Sequence, residues 1–371
     1  MTSLRIAELT TAAVGGPARR YVRAGSELAV LDAVAEADAT GRAVLVVGGG
    51  SNLIAADAGF EGTVVHVVSR GVRTVAEGPG GALLEVQAGH PWDELVAQAV
   101  AQELVGIEAL SGIPGTTGAT PVQNVGAYGQ EVAQTVELVR AWDRHERRVR
   151  EFVPAELAFS YRDSALKRST RAGSPRFVVL AVRFRLERGA LGAPVRYGEL
   201  ARRLGVEVGE RAPLARVREA VLALRAGKGM VLDPADRDTY STGSFFTNPI
   251  LPVAALGDGL PADAPRFPVV DAAGNPLGDR VKLSAAWLID HAGFGRGFGL
   301  PGTRNEVLDL DGAAVAGGRA SLSTKHTLAL TNRGDASAED LMALARTVRD
   351  GVASVYGVDL VAEPVLVGTR I

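Results

Sequence analysis

The sequence predicts an α+β fold that contains more than one domain. Segments with helical periodicity and short apolar segments typical of strands are mixed along the chain, without the regular strand–helix alternation of a doubly wound sheet. The length of 371 residues favours two or three domains. Hydrophobic residues make up 47% of the chain and charged residues 22%, so there is enough apolar surface for a sizeable core.

Four amphipathic helices are predicted from spaced apolar residues and from residues typical of helix ends. The first places Leu28, Leu31 and Val34 on one face. The last begins at Ser337 and Asp340, which have the spacing of a capping box. The predicted helices cover residues 26–40, 92–104, 213–226 and the segment from the capping box to residue 357, each with a glycine at or just beyond its end.

Strands and connecting segments are predicted from short apolar stretches and from turn-forming residues. The predicted strands cover residues 43–47, 136–142, 177–186 and 358–367. An arginine-rich passage at 192–209 is expected to join domains. Residues 258–278 are rich in Asp, Pro and Gly, which predicts an exposed loop.

Charge and composition exclude several classes of function. Lys and Arg number 40 against 42 Asp and Glu, a balance that argues against a general nucleic-acid binder. The absence of cysteine excludes disulfides, thiolate metal sites and cysteine nucleophiles, and the five histidines form no paired metal motif. The N-terminal residues lack the pattern of a secretory signal, and no apolar stretch reaches the ~18 residues of a membrane span. We therefore expect a cytoplasmic protein without membrane insertion.

Two glycine-rich segments are candidate ligand-binding loops. The first, Gly48–Asn52, directly follows a predicted strand, and its three glycines allow backbone amides to face a phosphate; a tight turn at a strand end explains three glycines equally well. Leu53 stands where a dinucleotide fingerprint has its third glycine. The second, residues 111–131, is a long segment rich in glycine, threonine and amides. A loop of that length inside a compact domain usually carries function, although a plain surface loop is the alternative.

Two further motifs are candidates for a catalytic role. Tyr161–Ser164 is followed one turn later by Lys167, one of only four lysines in the chain. In Gly243–Pro249, Ser244 stands between a glycine and two phenylalanines; a strand entering the core, with its serine bonded to backbone, is the alternative interpretation. The chain has no Gly-x-Ser-x-Gly motif and no nearby His–Asp pair, which argues against a hydrolytic serine.

Taken together, these segments resemble the UDP-N-acetylenolpyruvoylglucosamine reductase family, whose members act in bacterial peptidoglycan precursor synthesis. The resemblance rests on segments spread in the family's order over nearly the full length: Gly48–Asn52, Gly112–Glu131, Tyr161–Ser164, Gly243–Pro249, Trp287–Asp290 with Gly293-Phe294, and Leu360–Gly368. It implies a two-lobed FAD-binding domain of the vanillyl-alcohol-oxidase type at 1–192, a connecting loop and helix at 193–233, and an α+β substrate-binding domain at 234–371 whose C-terminal strand returns to the active site.

The resemblance also implies the ligands. FAD is expected to bind non-covalently, because Ser51 and Asn52 follow the glycines where covalently flavinylated relatives of the fold have a histidine. NADPH is the implied co-substrate, a UDP-sugar is the implied substrate, and the protein is expected to be a monomer. The expected FAD-binding residues are Gly48, Gly49, Gly50, Ser51, Asn52, Ser111, Gly112, Pro114, Gly115, Thr116, Gln123, Asn124 and Gly126.

Three residues match the family's catalytic positions. Ser244 matches the proton donor, and Arg162 matches the residue that holds the substrate carboxylate and stabilises the developing enolate. Glu363 matches the terminal glutamate that hydrogen-bonds the intermediate and is expected to be protonated in the complex, although its proline, Pro364, stands on the opposite side from the family's usual order. The implied substrate-binding residues are Tyr161, Tyr197, Lys228 and Asn248, with Tyr197 closing over the diphosphate and Lys228 binding it. A further contact is implied at Asp290 or His291.

Two other functions stay open on the residues alone. A sugar or alditol oxidase on the same flavin fold would deliver electrons to oxygen, but it would not need Ser244, Arg162 and Glu363 together. A non-catalytic nucleotide-binding protein would keep the loops and would have no reason to retain all three residues.

Overall fold

The computed structural model describes residues 4–257, 259–270 and 276–371. They form two compact units, and the chain passes between them more than once. The first unit contains Ala18–Gly50 and Phe60–Val231. The second contains Arg5–Pro17, Ser51–Gly59 and Leu232–Ile371. Residues 193–231 therefore belong to the same compact unit as the preceding part of the chain.

The α-helices in the described residues are α1 (Glu27–Ala39), α2 (Trp92–Ala101), α3 (Pro154–Leu157), α4 (Ala165–Arg168), α5 (Gly198–Leu204), α6 (Leu214–Gly227), α7 (Ala285–His291), α8 (Ala313–Ala316) and α9 (Ala338–Tyr356). Short 3₁₀ turns occur at Ile6–Leu9, Glu108–Leu110, Thr117–Ala119, Val132–Gln134, Arg237–Thr239 and Val253–Ala255.

The strands are β1 (Ala18–Ala24), β2 (Val44–Val47), β3 (Leu53–Ala55), β4 (Phe60–Val67), β5 (Val72–Gly78), β6 (Gly81–Gln87), β7 (Leu104–Val105), β8 (Gly126–Ala127), β9 (Gln130–Glu131), β10 (Val136–Asp143), β11 (Arg148–Phe152), β12 (Phe177–Arg188), β13 (Ile250–Pro252), β14 (Arg266–Val270), β15 (Pro276–Leu283), β16 (Arg304–Asn305), β17 (Leu310–Asp311), β18 (Ala320–Leu322), β19 (Leu330–Asn332) and β20 (Val365–Val367).

The first unit is built on two sheets. A parallel sheet has the order β1-β4-β2, and an antiparallel sheet has the order β11-β10-β12-β6-β5, with β7 also paired to β12. Helices α1 and α2 contribute to the same hydrophobic core as both sheets. Trp92, at the start of α2, is fully buried there, and its Nε1 donates to the carbonyl oxygen of Leu110 at 3.0 Å. This anchors α2 to the segment that leads into the second glycine-rich loop.

The second unit packs small sheets around helices α7 and α9. Its sheets have the orders β13-β15-β14, β18-β19, β16-β17 and β20-β3, of which β20-β3 is parallel. Its core includes Phe245, Phe246, Phe294 and Phe298, each at most 1% exposed. The pairing of β20 with β3 brings the last strand of the chain to residues that directly follow the first glycine-rich segment.

Most predicted elements are confirmed. Ser26 caps α1, where its Oγ accepts from the amide of Ala29 at 3.2 Å, and the capping box of Ser337 and Asp340 is present at α9. The predicted strands at 43–47, 136–142 and 177–186 correspond to β2, β10 and β12. The prediction for the core face of α1 is wrong at Leu28, which is 66% exposed, because the buried face is formed by Val30, Ala33, Val34 and Ala37.

Four predicted boundaries are wrong. Helix α2 ends at Ala101 rather than at residue 104, because residues 104–105 pair with β12 as β7. Gly227, predicted to stop α6, is its last helical residue. The predicted strand at 358–367 is reduced to β20. The predicted loop at 258–278 contains β14 and the beginning of β15, while its residues 258 and 271–275 lie outside the described part of the chain.

Candidate functional site

Within the first unit, the glycines of the first segment lie against the second segment. A Cβ added at Gly48 would lie 2.1 Å from Oγ1 of Thr116, and one added at Gly49 would lie 2.6 Å from the Cα of Gly115. Neither position has space for a side chain, so the backbones approach as closely as glycine allows. Gly50 has a φ of +58°, which also favours glycine. The result is a surface of small residues and backbone groups that fits a pyrophosphate.

The beginning of the second segment is held in shape by hydrogen bonds. Ser111 is fully buried, and its Oγ donates to the carbonyl oxygen of Glu108 at 2.6 Å. The amide of Gly112 donates to Oδ1 of Asp93 at 2.6 Å. The amide of Trp92 donates to the carbonyl oxygen of Gly115 at 3.1 Å. Pro114 lies between these contacts and Thr116 directly follows the last of them. Both residues are half-buried.

Asp93 is the charged anchor of this segment. Arg218 binds it with two hydrogen bonds of 2.6 and 2.8 Å, in addition to the amide of Gly112. Burial alone would raise the pKa of Asp93, but the hydrogen bonds from Arg218 and Gly112 and the nearby positive charge outweigh it and hold the pKa below its usual range. The carboxylate is therefore ionised at neutral pH and fixes Gly112 at its φ of +70°.

Asn124 organises the end of the long segment. It is 1% exposed, and its Nδ2 donates to Oε2 of Glu131 at 2.8 Å and to the carbonyl oxygen of Ser160 at 3.1 Å. Its Oδ1 accepts from the amide of Ala133 at 3.2 Å. The side-chain amide is thus engaged inside the protein, while the preceding residue, Gln123, is half-buried.

Arg162 reaches the same segment from the Tyr161–Ser164 motif. Its guanidinium donates to the carbonyl oxygen of Gly126 at 2.5 Å and to that of Asn124 at 3.4 Å. It also lies 5.1 Å from the ring centroid of Tyr161. Arg162 has a φ of +56°, which is uncommon for a residue with a side chain, and Nζ of Lys167 donates to its carbonyl oxygen at 3.1 Å. The structure therefore brings Arg162 and Tyr161 to the glycine-rich segment.

Tyr197 and Lys228 also lie close together in the first unit. The ring of Tyr197 meets that of Tyr128 edge to face, with 5.5 Å between centroids, and Nζ of Lys228 lies 5.9 Å from the Tyr128 centroid. Nζ of Lys228 also lies 2.5 Å from Oε2 of Glu199. Burial raises the pKa of Tyr128 to about 12, so its phenol is neutral.

Tyr128 and Glu199 were not predicted as site residues. Tyr128 lies inside the long glycine-rich segment, and Glu199 is two residues after Tyr197. The place of Tyr128 in that segment and the nearness of Glu199 to Tyr197 were the available signals, but no spacing in the sequence indicates that they meet Lys228.

In the second unit, Ser244 and Glu363 lie on paired segments. The amide of Glu363 donates to the carbonyl oxygen of Phe245 at 2.8 Å, and Phe246 forms a bridge with Ala362. Phe245 and Phe246 are each 1% exposed, so the two residues after Ser244 are anchored in the core, whereas Ser244 itself is half-buried.

Asn52 joins the same group of residues in the second unit. Its carbonyl oxygen accepts from the amide of Val365 at 3.0 Å, and its Nδ2 lies 3.5 Å from the carbonyl oxygen of Glu363. Asn248 is also in this unit, where its Oδ1 accepts from the amide of Ala285 at 2.9 Å. Ser51 and Asn52 thus belong to a different compact unit from Gly48, Gly49 and Gly50.

Asp290 and His291 lie at the end of α7. Nδ1 of His291 is 2.9 Å from the carbonyl oxygen of Trp287, and the two rings are stacked with 3.9 Å between centroids. Among the described residues, no group of three or more His, Asp or Glu side chains is arranged to hold a metal ion. Within the same ranges, no helix has the length and apolar character needed to cross a membrane.

Comparison with known proteins assigns both parts of the chain. A family model described as an FAD binding domain matches residues 18–150. A second model, described as the C-terminal domain of UDP-N-acetylenolpyruvoylglucosamine reductase, matches residues 233–367. The UDP-N-acetylenolpyruvoylglucosamine reductase of Saccharopolyspora erythraea is 52% identical over 371 residues, which cover 98% of this chain and 94% of that protein. The chain belongs to the UDP-N-acetylenolpyruvoylglucosamine reductase family.

Other members of the UDP-N-acetylenolpyruvoylglucosamine reductase family agree with this assignment. The protein of that name from Cutibacterium acnes is 50% identical over 366 residues, covering 99% of this chain and 90% of that protein. The crystal structure of the reductase from Thermus caldophilus has a TM-score of 0.61 at 23% identity and covers 98% of this chain and 97% of that one, so it supports the fold. The predicted family is confirmed, as is an α+β fold in which an FAD-binding domain precedes a second domain. The protein is an FAD-dependent oxidoreductase.

Proposed function

We propose that the protein reduces the enolpyruvyl group of UDP-N-acetylglucosamine enolpyruvate to give UDP-N-acetylmuramate, using NADPH, in peptidoglycan precursor synthesis. The observation that carries the proposal is the 52% identity to a reductase of that name over 98% of the chain. Retention of Ser244, Arg162 and Glu363 supports it, since these three residue types suit reduction followed by protonation. We also propose that the protein acts in the cytoplasm as a monomer.

The cofactor would be held by the small residues described above. Gly48, Gly49, Gly115 and Thr116 leave a surface without side-chain bulk, and it fits the pyrophosphate of FAD. No histidine follows the glycines, which supports non-covalent binding. When bound, FAD would accept a hydride from NADPH and, once reduced, would supply the hydride that the reaction adds to the β-carbon of the enol ether.

Arg162 is proposed to bind the substrate carboxylate. Hydride addition at the β-carbon moves negative charge toward this carboxylate, and a guanidinium fixed by neighbouring carbonyl oxygens stabilises such charge without having to reorient. Its bond of 2.5 Å to the carbonyl oxygen of Gly126 is the kind of contact that holds the fork in place. Lys228 and Asn248 are proposed to bind the diphosphate, and Tyr197 to close over it.

Ser244 is proposed to deliver the proton to the α-carbon. A serine hydroxyl is a weak acid, but a carbanion-like intermediate is strongly basic, so a positioned hydroxyl suffices where water is excluded. The buried rings of Phe245 and Phe246 fix the backbone next to it. Glu363, on the segment paired with Phe245, is proposed to hydrogen-bond the intermediate.

The test is a two-stage spectroscopic experiment on the purified protein. NADPH added without oxygen should bleach a yellow flavin, and the enolpyruvyl UDP-sugar alone should restore the colour. Reoxidation by air at a higher rate than by this substrate would instead identify an oxidase. A protein that stays colourless after incubation with FAD would be a non-catalytic nucleotide binder.

A further inference from the structure

The ion pair between Glu199 and Lys228 joins two helices of the first unit. The distance from Nζ to Oε2 is 2.5 Å, and the two side chains are 31% and 28% exposed, respectively. Glu199 lies in the first turn of α5, and Tyr197 is the residue that caps this helix. Lys228 directly follows Gly227, the last residue of α6. One contact therefore connects the segment that carries Tyr197 to the lysine.

A second cation, Arg225, lies close to this pair in the chain, and the carboxylate that acts on Arg225, Asp93, is already paired with Arg218. Arg225 lies one turn before Lys228 and is 8% exposed; one terminal nitrogen donates to the carbonyl oxygen of Met230 at 2.8 Å, and its Nε has no hydrogen-bond partner. Tyr128, whose ring faces both Tyr197 and Lys228, is neutral. Glu199 is the carboxylate in direct contact with Lys228, so removing its charge would leave this lysine strongly attractive to anions.

We propose that Glu199 is a positioning residue. It forms an ion pair with the Lys228 ammonium in the absence of substrate, and this ion pair breaks when the substrate's diphosphate binds to Lys228. This inference rests on the proposed function, in which Lys228 binds the diphosphate. An ammonium is a compact point charge with three donors, and a diphosphate brings more charge and more acceptors than one carboxylate. Since Glu199 follows Tyr197 by two residues, its release frees the segment that carries Tyr197 to close.

The exchange also sets a threshold of affinity for anions at this site. A carboxylate tethered beside the ammonium competes with every incoming anion at a high effective concentration. Ligands with a single negative charge gain too little from Lys228 to displace it, whereas a diphosphate gains enough. Glu199 thus weakens, by the same factor, the binding of every anion that needs Lys228, so that only ligands with a large gain from this lysine still bind tightly.

The proposal is tested by measuring the binding of UDP to the FAD-loaded protein by titration calorimetry. We expect Glu199→Gln to lower the Kd for UDP roughly three- to tenfold. The difference in Kd between the variant and the wild type should become smaller at about 0.5 M salt, because the interaction is electrostatic. Glu199→Asp keeps the charge and should bind UDP as the wild type does. Glu207→Gln is the matched control, since it removes the same charge from an exposed position of the same region and should leave the Kd unchanged.

Three results would overturn the inference, and they can be told apart. Unchanged or weaker binding of UDP by Glu199→Gln overturns the inference, provided that the wild-type flavin is still reoxidised by the enolpyruvyl UDP-sugar. Failure of that wild-type reoxidation overturns the proposed function itself, and with it the inference. If Glu207→Gln lowered the Kd for UDP as much as Glu199→Gln does, the effect would come from the net charge of the protein, and this too would overturn the inference.

Discussion

The backbone amide of Glu363 donates a hydrogen bond of 2.8 Å to the carbonyl oxygen of Phe245, the residue that follows Ser244. The bridge between Phe246 and Ala362 extends this pairing. Because the pairing uses backbone atoms only, it sets the positions of Ser244 and Glu363 without involving either side chain. Either side chain can therefore be replaced without displacing the other.

Ser244→Ala should separate the two halves of the reaction. We expect reduction of the flavin by NADPH to persist, and reoxidation by the enolpyruvyl UDP-sugar to slow by about 10²- to 10⁴-fold, the usual contribution of a positioned proton donor. Stopped-flow absorbance of the flavin measures both rates. Ser244→Cys, which keeps a proton donor of similar reach, should recover part of the rate. Wild-type reoxidation in Ser244→Ala would show that another group delivers the proton.

Gly49→Ala should damage the flavin-binding loop. The new Cβ would lie 2.6 Å from the Cα of Gly115, and because the obstacle is backbone, the two segments would have to separate. We expect a loss of roughly 1–3 kcal/mol in stability together with a lower FAD content. Thermal unfolding and the flavin-to-protein absorbance ratio measure these effects.

The control for this substitution is Gly78→Ala. A Cβ added at Gly78 has no neighbouring atom within 4 Å, so its stability should stay within about 0.5 kcal/mol of the wild type. Full FAD content in Gly49→Ala would show that the close approach of the two segments is not needed for cofactor binding.

Asp93→Asn should loosen the second glycine-rich segment. The carboxylate accepts from the amide of Gly112 and from two nitrogens of Arg218, and a neutral amide would leave Arg218 without its counter-ion. We expect a loss of about 1–2 kcal/mol, since the pair is partly exposed and screened by solvent. Weaker FAD binding should accompany it, measured by fluorescence titration of the apoprotein. Asp32→Asn, which removes a carboxylate from an exposed position of α1, is the comparison variant.

Asp238 should make the protein sensitive to acid. Burial alone would raise its pKa, but the hydroxyl and amide of Thr324 and the charge of Arg333 hold the pKa below the usual 3.8. A carboxyl group whose pKa is lower in the folded than in the unfolded protein stabilises the fold at pH values above its unfolded-state pKa. This stabilisation is lost as the pH falls through the folded-state pKa. Unfolding by urea should therefore need less denaturant as the pH drops below about 4.

Asp238→Asn isolates this contribution. The variant should be less stable at pH 7, and its stability should fall less steeply with acid than that of the wild type. Parallel pH profiles for the two proteins would mean that other carboxylates account for the acid sensitivity.

Local signals in the sequence predicted the regular elements well. Ser26 and the Ser337–Asp340 pair give helix starts that do not depend on the rest of the fold, because their hydrogen bonds close within one turn. Leu104 shows where such local signals fail. Its apolar character suits a helix, but it pairs with β12 and is therefore part of a strand. Such pairing joins residues far apart in the chain, which periodicity cannot detect.

The candidate site was predicted only in part for the same reason. The motifs containing Gly48, Arg162 and Ser244 stand out by composition, and the family resemblance gave them roles. The contact between Glu199 and Lys228 depends on how α5 and α6 pack, so no spacing in the sequence predicts it. The exposed strands β14 and β15 were missed because their Asp, Pro and Gly neighbours are typical of loops.

The pairing of β3 with β20 has a consequence for how the nascent chain matures. Asn52 and Glu363, which meet beside this pair, are separated by 311 positions in the sequence. At a synthesis rate of roughly 5–20 residues per second, β3 leaves the ribosome about 15–60 s before its partner exists. The unit that carries Ser244 is therefore completed only after residues 365–367 have been synthesised. A chain interrupted before residue 365 would keep an unpaired strand edge, a template for aggregation.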